Sequence, residues 1–244
     1  MIPYERQEKI LTILRERELI RIEELQQLIP EVSISTLRRD LKELEKVNKV
    51  QPLAGGAVKS YSGSLELPIK TKSTLQIKEK ELIATIAAKE VLDGETVYID
   101  SGSTCTILLK TLLQKPIHIV TTNTDIVRMT ESFTAEVTML GGTYNPNISS
   151  LSGPLTEATI QHYIFDRAFL GANGIDIKFG ITTPNLAEAM KKRTVLQRTK
   201  QAYVVADSSK FHQSSAVKAF DLTEVTLITN KQDKELSKEM PLIY

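Results

Sequence analysis

The sequence predicts an α/β protein of two domains, in which a small helical domain precedes a larger one built on a parallel sheet. Residues 5–46 contain three stretches with apolar residues at helical spacing, and a glycine-rich pattern typical of a β-hairpin follows at residues 49–58. From Glu95 onward, short apolar stretches typical of strands alternate with helical ones. Such alternation is typical of a parallel sheet with helices on both faces.

The composition limits the class of protein. At 244 residues, with 41% hydrophobic and 25% charged residues, the chain has room for two ordinary hydrophobic cores. Its one cysteine, Cys105, excludes an intramolecular disulfide and favours a reducing compartment. No apolar stretch approaches the ~20 residues of a membrane span, and the N-terminus lacks the apolar segment of a signal peptide. We therefore expect a cytoplasmic protein without a membrane partner.

The first two helices are expected at residues 5–18 and 22–29. Each carries apolar side chains on one face, and Pro3 is well placed at the start of the first helix. Pro30 ends the second helix because a proline cannot continue the hydrogen-bond ladder. The connection to the next helix is therefore short, as a helix-turn-helix requires.

The third helix, predicted over residues 33–46, has the layout of a helix that enters the major groove of DNA. Leu37, Leu41 and Leu44 fall on one face, and Ser33 is placed to cap the N-terminus. Hydroxyl and cationic side chains occupy the remaining surface, where they can meet base edges and phosphates. The candidate DNA-binding residues are Ser33, Ser35, Thr36, Arg38, Arg39, Lys42 and Lys46. The alternative is an ordinary amphipathic helix whose charges are solvated.

The hairpin and the segment after it set the predicted domain boundaries. Residues 49–58 predict two short strands around a turn at Gly55 and Gly56, which adds a wing to the three helices. The small polar residues at 60–64 are typical of a hinge. The predicted segments are a winged helix-turn-helix domain at 1–59, a linker at 60–74 and a larger domain at 75–244.

The larger domain is expected to begin with a helix over residues 75–91. The strands that follow are predicted at 96–99, 117–121, 135–140, 168–170, 203–206 and 225–228. The helices between them are predicted at 106–113, 124–131, 154–163 and 186–197. Ligands of such sheets bind outside the carboxyl ends of the strands. The residues after each strand are therefore the candidate site.

Residues 100–104, Asp-Ser-Gly-Ser-Thr, follow the first of these strands and open a helix. The glycine allows a tight turn, so backbone N–H groups and hydroxyls converge on the positive end of the helix, as an anion site requires. Taken alone, the same residues are typical of an ordinary helix cap. Small polar residues also follow the other strands, and together they favour a small anionic ligand at this edge of the sheet.

In order and spacing, these motifs resemble those of DeoR-type bacterial transcriptional regulators. The resemblance runs from about Glu5 to Thr229, and it rests on residues 5–11, 32–45, 55–57, 100–104, 121–123, 141–142, 166–175 and 206–211. There are two departures. The turn before Val32 is one residue longer than usual, and Gln51 and Ala54 stand where the family's wing carries arginine and histidine.

The resemblance implies a DNA-binding regulator, commonly a repressor of sugar catabolism, whose larger domain senses a phosphorylated sugar. It implies that Ser101, Gly102, Ser103 and Thr104 hold the phosphate, and that the sugar lies beside Asp100, Asn123, Gly141, Asn173 and Lys210. The expected partners are double-stranded operator DNA, the sugar phosphate, and further copies of the chain in a homodimer or homotetramer. No cofactor and no metal are expected.

The alternative is an isomerase-like enzyme fused to a DNA-binding domain, because the sensor domain of this family is similar to ribose-5-phosphate isomerases and coenzyme A transferases. Those isomerases carry acidic residues for proton transfer where this chain has Asn173 and Gly174. Neither an amide nor a hydrogen atom can act as a general base, whereas a carboxylate can. We therefore predict that the chain is not an enzyme.

Overall fold

The computed structural model describes residues 2–17, 19–46, 49–53, 55–60, 69–130 and 132–244. The chain divides into two compact units, Met1–Leu67 and Pro68–Tyr244. Each unit has a hydrophobic core of its own. Ala54 of the predicted wing and residues 61–64 of the predicted hinge lie outside the described residues.

The smaller unit consists of three helices and a three-stranded antiparallel sheet. Its elements are α1 (Pro3–Glu16), β1 (Leu19–Arg21), α2 (Ile22–Leu28), α3 (Ile34–Lys46), β2 (Val50–Pro52) and β3 (Ala57–Ser60). The sheet order is β1-β3-β2. The predicted helices and hairpin are confirmed. Strand β1 is absent from the prediction because only Ile20 of its three residues is buried, which is too short a pattern to recognise.

The core of the smaller unit collects the apolar faces of the three helices. Leu14, Leu25 and Leu37 are fully buried there. Helix α3 begins directly after Ser33, whose Oγ accepts a hydrogen bond from the backbone N–H of Thr36 at 3.3 Å. This contact confirms the predicted N-cap, so the exposed end of α3 starts where the sequence places it.

The larger unit is a parallel sheet with helices on both faces. Its elements are α4 (Ile69–Thr74), α5 (Ile77–Lys89), β4 (Thr96–Ile99), α6 (Ser103–Leu112), β5 (His118–Thr121), β6 (Glu136–Met139), β7 (Thr143–Asn145), β8 (Ser150–Ser152), α7 (Pro154–Ile160), β9 (Phe165–Gly171), β10 (Gly174–Asp176), β11 (Gly180–Thr183), α8 (Leu186–Gln197), β12 (Thr199–Val205), β13 (Val217–Phe220), β14 (Thr226–Ile228), α9 (Leu236–Glu239) and β15 (Leu242–Ile243). The seven-stranded sheet has the order β15-β14-β12-β9-β4-β5-β6, and all neighbouring strands in it are parallel.

Alternate residues of the central strands face opposite sides of this sheet. Tyr98 and Ala168 pack in the cluster that includes residues of α7 and α8. Their neighbours Val97, Ile99 and Phe169 pack in the cluster that includes residues of α5 and α6. Both faces of the sheet are therefore covered, which confirms the predicted α/β class.

The helix predicted at 124–131 is wrong. Residues Thr124–Arg128 form a short 3-10 turn, the backbone is extended at Met129, and residue 131 lies outside the described residues. The turn is closed locally, since Asn123 Oδ1 accepts a hydrogen bond from the backbone N–H of Asp125 at 3.0 Å. Only Ile126 of the turn is buried, so no apolar face exists to extend it into a helix.

Several short elements have no counterpart in the prediction. Strands β7 and β8 pair with each other, and β10, β11 and β13 form a separate small sheet. Helix α4 falls within the predicted linker, residues 60–74. Each of these elements has only three to six residues, too few to show a reliable hydrophobic period.

The order of the parallel strands reverses beside β4. Strand β5 lies on one side of β4, and β9 lies on the other. Asp100 follows β4 and Gly171 ends β9, and the backbone N–H of Gly171 donates to Asp100 Oδ2 at 3.2 Å. In open α/β sheets, ligands bind in the crevice at such a reversal. The fold therefore places Asp100 at the position where a ligand is expected.

Candidate functional site

The exposed surface of α3 carries the predicted DNA-binding side chains. Leu37, Leu41 and Leu44 are buried on the opposite face of the helix. The exposed set consists of Ser33, Ser35, Arg38, Arg39, Lys42 and Lys46, with Thr36 half-buried beside them. This surface offers hydroxyls and guanidinium groups for base edges and cations for phosphates.

The cations of this surface differ in how they are paired. Lys46 Nζ lies 2.7 Å from Glu43 Oε1 in an exposed ion pair. Arg38, Arg39 and Lys42 make no ion pair with any residue that the structure describes. An exposed pair contributes little to stability, so Lys46 can exchange Glu43 for a phosphate, but the other three need no such exchange.

Asp40 follows Arg39 directly, yet its carboxylate is buried under the helix. Arg6 of α1 donates from Nε to Asp40 Oδ2 at 2.5 Å and from Nη2 to Oδ1 at 3.0 Å. The two residues are 7% and 3% exposed. This bidentate pair joins α1 to α3 and keeps the Asp40 charge away from the exposed arginines. Sequence reasoning did not assign a role to either residue.

The N-terminal end of α3 is a cluster of hydroxyls. Ser33 Oγ lies 2.9 Å from Ser35 Oγ and 2.9 Å from Thr36 Oγ1. Each of these groups can donate or accept a hydrogen bond. The cluster is therefore adaptable to either a phosphate oxygen or a base edge.

The wing is a hairpin with a glycine turn. Gly55 and Gly56 have φ values of +84° and +76°, which favour glycine. Gln51 is exposed in β2 and lies opposite Lys59 of β3. Lys59 therefore supplies a cation opposite Gln51 in the wing.

The predicted phosphate loop lies at the N-terminus of α6, as expected. Gly102 has a φ of +125° and precedes the first residue of the helix, Ser103. Asp100, Ser101, Ser103 and Thr104 are all buried. The glycine conformation allows the chain to turn from β4 into α6, so that the first N–H groups of α6 face the carboxyl edge of the sheet.

A group of buried charges lies directly beside this loop. Asp100 Oδ2 contacts Lys192 Nζ, and Asp100 Oδ1 lies 3.3 Å from Lys191 Nζ. Glu188 Oε2 lies 2.8 Å from Lys191 Nζ. We name these four residues, Asp100, Glu188, Lys191 and Lys192, the ion cluster. All four are at least nine-tenths buried, and three of them come from α8, which sequence reasoning did not connect with the site.

Hydroxyl groups connect the ion cluster to the neighbouring strands. Lys191 Nζ donates to four oxygen atoms, which are Thr122 Oγ1 at 3.2 Å, Ser150 Oγ at 2.7 Å, the Leu151 carbonyl at 3.4 Å and Glu188 Oε2 at 2.8 Å. Ser150 Oγ also donates to Glu188 Oε1 at 2.8 Å. Thr122 Oγ1 lies 2.9 Å from Tyr98 Oη and 3.3 Å from Ser101 Oγ. One polar network therefore joins the predicted phosphate loop to α8.

Burial and the neighbouring charges have opposite effects on the pKa values of Asp100 and Lys191. Burial alone raises the pKa of Asp100, but Lys192 and Lys191 outweigh it and bring the pKa down to about 2. For Lys191, burial lowers the pKa, whereas Glu188 and Asp100 raise it, and the net direction is upward. Asp100 and Lys191 are therefore both charged at neutral pH.

Cys105 lies in the first turn of α6, close to the loop. Its thiol is fully buried, and burial followed by the nearby Asp100 charge raises its pKa. Cys105 is a small buried residue of the core rather than a reactive thiol.

The other predicted effector residues lie in different environments. Asn123 is fully buried, and its Nδ2 donates to Thr106 Oγ1 at 2.8 Å, so it braces the start of α6. The Gly141 carbonyl accepts a hydrogen bond from Thr156 Oγ1 at 2.7 Å. The backbone N–H of Asn173 donates to the Thr182 carbonyl at 3.1 Å. These contacts show what holds each residue, and its role toward a ligand stays a prediction.

Lys210 lies in a second group of cations rather than in the ion cluster. Lys80 is buried, and its Nζ donates to the carbonyls of Lys72 and Leu75 at 2.5 and 2.6 Å. Burial lowers the pKa of Lys80 to about 8; Asp207 opposes this shift, and Lys210 adds to it. The lysines therefore lie near one another and near Asp207, at the carboxyl end of β12.

The packing around Gly174 leaves no room for a side chain. A Cβ atom at this position would lie 2.3 Å from the Gln213 carbonyl oxygen and 2.7 Å from Thr182 Oγ1. No side chain fits there without a movement of the backbone. The packing therefore excludes a carboxylate at this position.

Comparison with known families identifies both units. Residues 6–62 match the family described as the DeoR-like helix-turn-helix domain. Residues 75–231 match the DeoR C terminal sensor domain. No helix within the described ranges is long and apolar enough to cross a membrane.

Three curated relatives are similar over nearly their whole length. A regulator of Bacillus subtilis, FruR, described as an uncharacterized HTH-type transcriptional regulator, is 30% identical over 96% of this chain and 93% of its own. The putative aga operon transcriptional repressor of Escherichia coli O157:H7 is 33% identical over 92% and 84%. The lactose phosphotransferase system repressor of Streptococcus mutans is 30% identical over 98% of both chains.

Solved structures show a partial overlap. Ribose 5 phosphate isomerase A from Neisseria gonorrhoeae aligns with a TM-score of 0.42 and 18% identity over 57% of this chain and 55% of that chain. The predicted similarity to coenzyme A transferases stays a prediction.

Proposed function

Because the chain belongs to the DeoR family of helix-turn-helix transcriptional regulators, we propose that it represses a sugar uptake or catabolism operon and that a phosphorylated sugar controls it. The observation that carries this proposal is the buried phosphate loop at the strand reversal, with the ion cluster beside it. Two similar proteins are named as repressors of the aga operon and of the lactose phosphotransferase system. These names support a sugar-related operon as the target.

The DNA-binding part of the proposal assigns α3 to the major groove. Arg38, Arg39 and Lys42 are exposed and make no ion pair within the described ranges, so their charges are available to the duplex. The hydroxyls of Ser33, Ser35 and Thr36 lie at the end of the helix that meets base edges in helix-turn-helix proteins. Lys59 of the wing adds a contact to a phosphate.

The effector part assigns the phosphate to the N-terminus of α6. Ser101, Ser103 and Thr104 supply hydroxyls, and Gly102 allows the backbone N–H groups to approach the anion closely. Asp100 lies next to this loop and accepts hydrogen bonds from the sugar hydroxyls. The ligand then changes DNA affinity only by the difference in its affinity for the DNA-binding and the released states.

The oligomeric state is part of the proposal. A homodimer or homotetramer presents more than one α3 helix, and its operator is repeated or palindromic to match. Size-exclusion chromatography with light scattering measures the assembly, and a monomer at all concentrations would contradict this part.

A thermal-shift screen tests the effector. The full chain is heated with glucose 6-phosphate, fructose 6-phosphate, fructose 1-phosphate and ribose 5-phosphate, and with the parent sugars as matched controls. A ligand of the native state raises the melting temperature in proportion to the logarithm of its concentration at saturation. We expect one phosphate to stabilise the protein and its parent sugar to have no effect. No response to any phosphorylated sugar would contradict the effector assignment.

A further inference from the structure

The adjacent lysines of the ion cluster differ in how fully their hydrogen bonds are used. Lys191 Nζ donates to four oxygen atoms, more than the three protons of an ammonium group can serve at once. Lys192 Nζ donates a hydrogen bond to Asp100 Oδ2, and no other described residue accepts a hydrogen bond from it. The three N–H groups of the Lys191 ammonium are therefore all used, whereas Lys192 has N–H groups that can donate to a ligand.

The carboxylate that contacts Lys192 has an unused acceptor. Asp100 Oδ2 receives the N–H of Gly171 and the ammonium of Lys192. Asp100 Oδ1 is buried and receives no hydrogen bond from any described residue. Lys191 Nζ lies 3.3 Å from it in an ion pair that is not a hydrogen bond. A buried oxygen that accepts no hydrogen bond is uncommon and unfavourable, so we expect a bound ligand to donate one to it.

We propose that Asp100 and Lys192 form a ligand-binding dyad, in which Asp100 Oδ1 accepts a hydrogen bond from a ligand hydroxyl and Lys192 donates to an anionic oxygen of the same ligand. Lys191 is a positioning residue that holds Glu188 and the strand ends in place. The inference rests on the proposed effector and deepens it, because it names Lys192 as the cation of the site.

The charges of the cluster explain why a second lysine is needed. Asp100 and Glu188 carry two negative charges, and Lys191 and Lys192 neutralise them. An anion that binds in the adjacent loop is repelled by the Asp100 carboxylate unless an ammonium lies beside it. Lys210, which the family resemblance places beside the sugar, lies near Lys80. The dyad therefore selects ligands that carry both a hydroxyl and an anionic group.

The test compares Lys192→Met with Lys191→Met in the full chain. The ligand is the sugar phosphate that stabilises the wild-type protein, and its Kd is measured by calorimetry. We expect Lys192→Met to raise this Kd by about tenfold or more, because a charge-assisted hydrogen bond is lost. Its melting temperature without ligand should fall less than that of Lys191→Met, which leaves the buried Glu188 without its cation.

Two further variants separate binding from folding. Lys192→Gln keeps a donor for Asp100 but removes the charge, and we expect the same rise in Kd. Lys218→Met, at an exposed lysine paired with Asp221, should change neither quantity. If Lys192→Met and Lys192→Gln bind the ligand as the wild type does, the dyad is wrong and the effector assignment stands. If the wild type binds no sugar phosphate, both are wrong.

Discussion

Two buried charge groups, one in each unit, differ in how completely their partners satisfy them. Arg6 and Asp40 in the smaller unit exchange two hydrogen bonds in bidentate geometry. In the larger unit, Asp100 contacts Lys191 and Lys192, and it shares Lys191 with Glu188. One oxygen of Asp100 receives no hydrogen bond from the described residues. The first group is complete as a structural link between helices, whereas the second is suited to a further partner.

This difference teaches that burial of charge is not by itself a sign of a ligand site. Both groups are nearly inaccessible to solvent, and both contain short ion pairs. What separates them is the number of donors and acceptors that remain unused once the chain has folded. Three variants should therefore lower the stability to different degrees, with Arg6→Met having the largest effect, Asp100→Asn a smaller one and Arg38→Ala the smallest.

The largest effect is expected for Arg6→Met, which leaves the Asp40 carboxylate buried without its partner. Loss of one member of a buried pair lowers the free energy of unfolding by about 3 kcal/mol or more. Urea unfolding followed by circular dichroism measures this change. The double variant Arg6→Met, Asp40→Leu should recover most of the loss, because no charge then remains buried. Lys9→Met removes a partner of the exposed Glu31 and should cost less than about 1 kcal/mol. If Arg6→Met also lowers the free energy of unfolding by less than about 1 kcal/mol, the pair does not stabilise the unit as proposed.

A smaller, pH-dependent effect is expected for Asp100→Asn. The pKa of Asp100 is lowered to about 2 in the folded protein, against an ordinary value near 3.9 in the unfolded chain. Its contribution is therefore fully present above about pH 5 and is lost as the pH falls toward 2, and it amounts to about 2.5 kcal/mol. The stability difference between wild type and variant, measured from pH 2 to 7, should shrink at the acidic end. Asp221→Asn, at an exposed ion pair, serves as the control. A difference that is constant over this range would contradict the lowered pKa.

The smallest effect on stability is expected for Arg38→Ala, since this side chain is exposed and makes no ion pair within the described ranges. The free energy of unfolding should change by less than about 0.5 kcal/mol. The affinity for DNA, in contrast, should fall by about tenfold or more, because a base or phosphate contact is lost. A gel shift on duplexes that the wild type selects from a random library measures the affinity. Arg128→Ala, an exposed arginine of the larger unit, is the matched control. If Arg38→Ala binds DNA as tightly as the wild type does, the assignment of α3 to the DNA interface is wrong.

Much of the fold can be predicted from the sequence, because the buried side chains of helices and strands recur at a regular spacing. The helix predicted at 186–197 has the observed bounds of α8, and the strand predicted at 96–99 has those of β4. The helix predicted at 124–131 fails because its backbone groups are satisfied locally by Asn123. Short strands such as β7 are stabilised by a partner rather than by their own pattern, so the sequence does not indicate them.

Only part of the candidate site can be predicted from the sequence. The phosphate loop at 100–104 is a local motif, and its position at the start of α6 follows from the strand, turn and helix around it. Lys191 and Lys192 give no such signal, since charges on a helix are usually solvated. Their burial depends on Asp100, which lies far away in the chain and meets them only when the sheet has formed.

The distance along the chain between the two members of the dyad has a consequence for how the protein is made. Asp100 and Lys192 are 92 residues apart, whereas the described contacts of the smaller unit all lie within residues 2–60. Because synthesis proceeds from the N-terminus and long-range contacts form slowly, the surface of α3 is complete well before the dyad can close. The DNA-binding domain of a growing chain is therefore complete first, and a chain that stops before α8 lacks Lys192, the cation of the proposed ligand site.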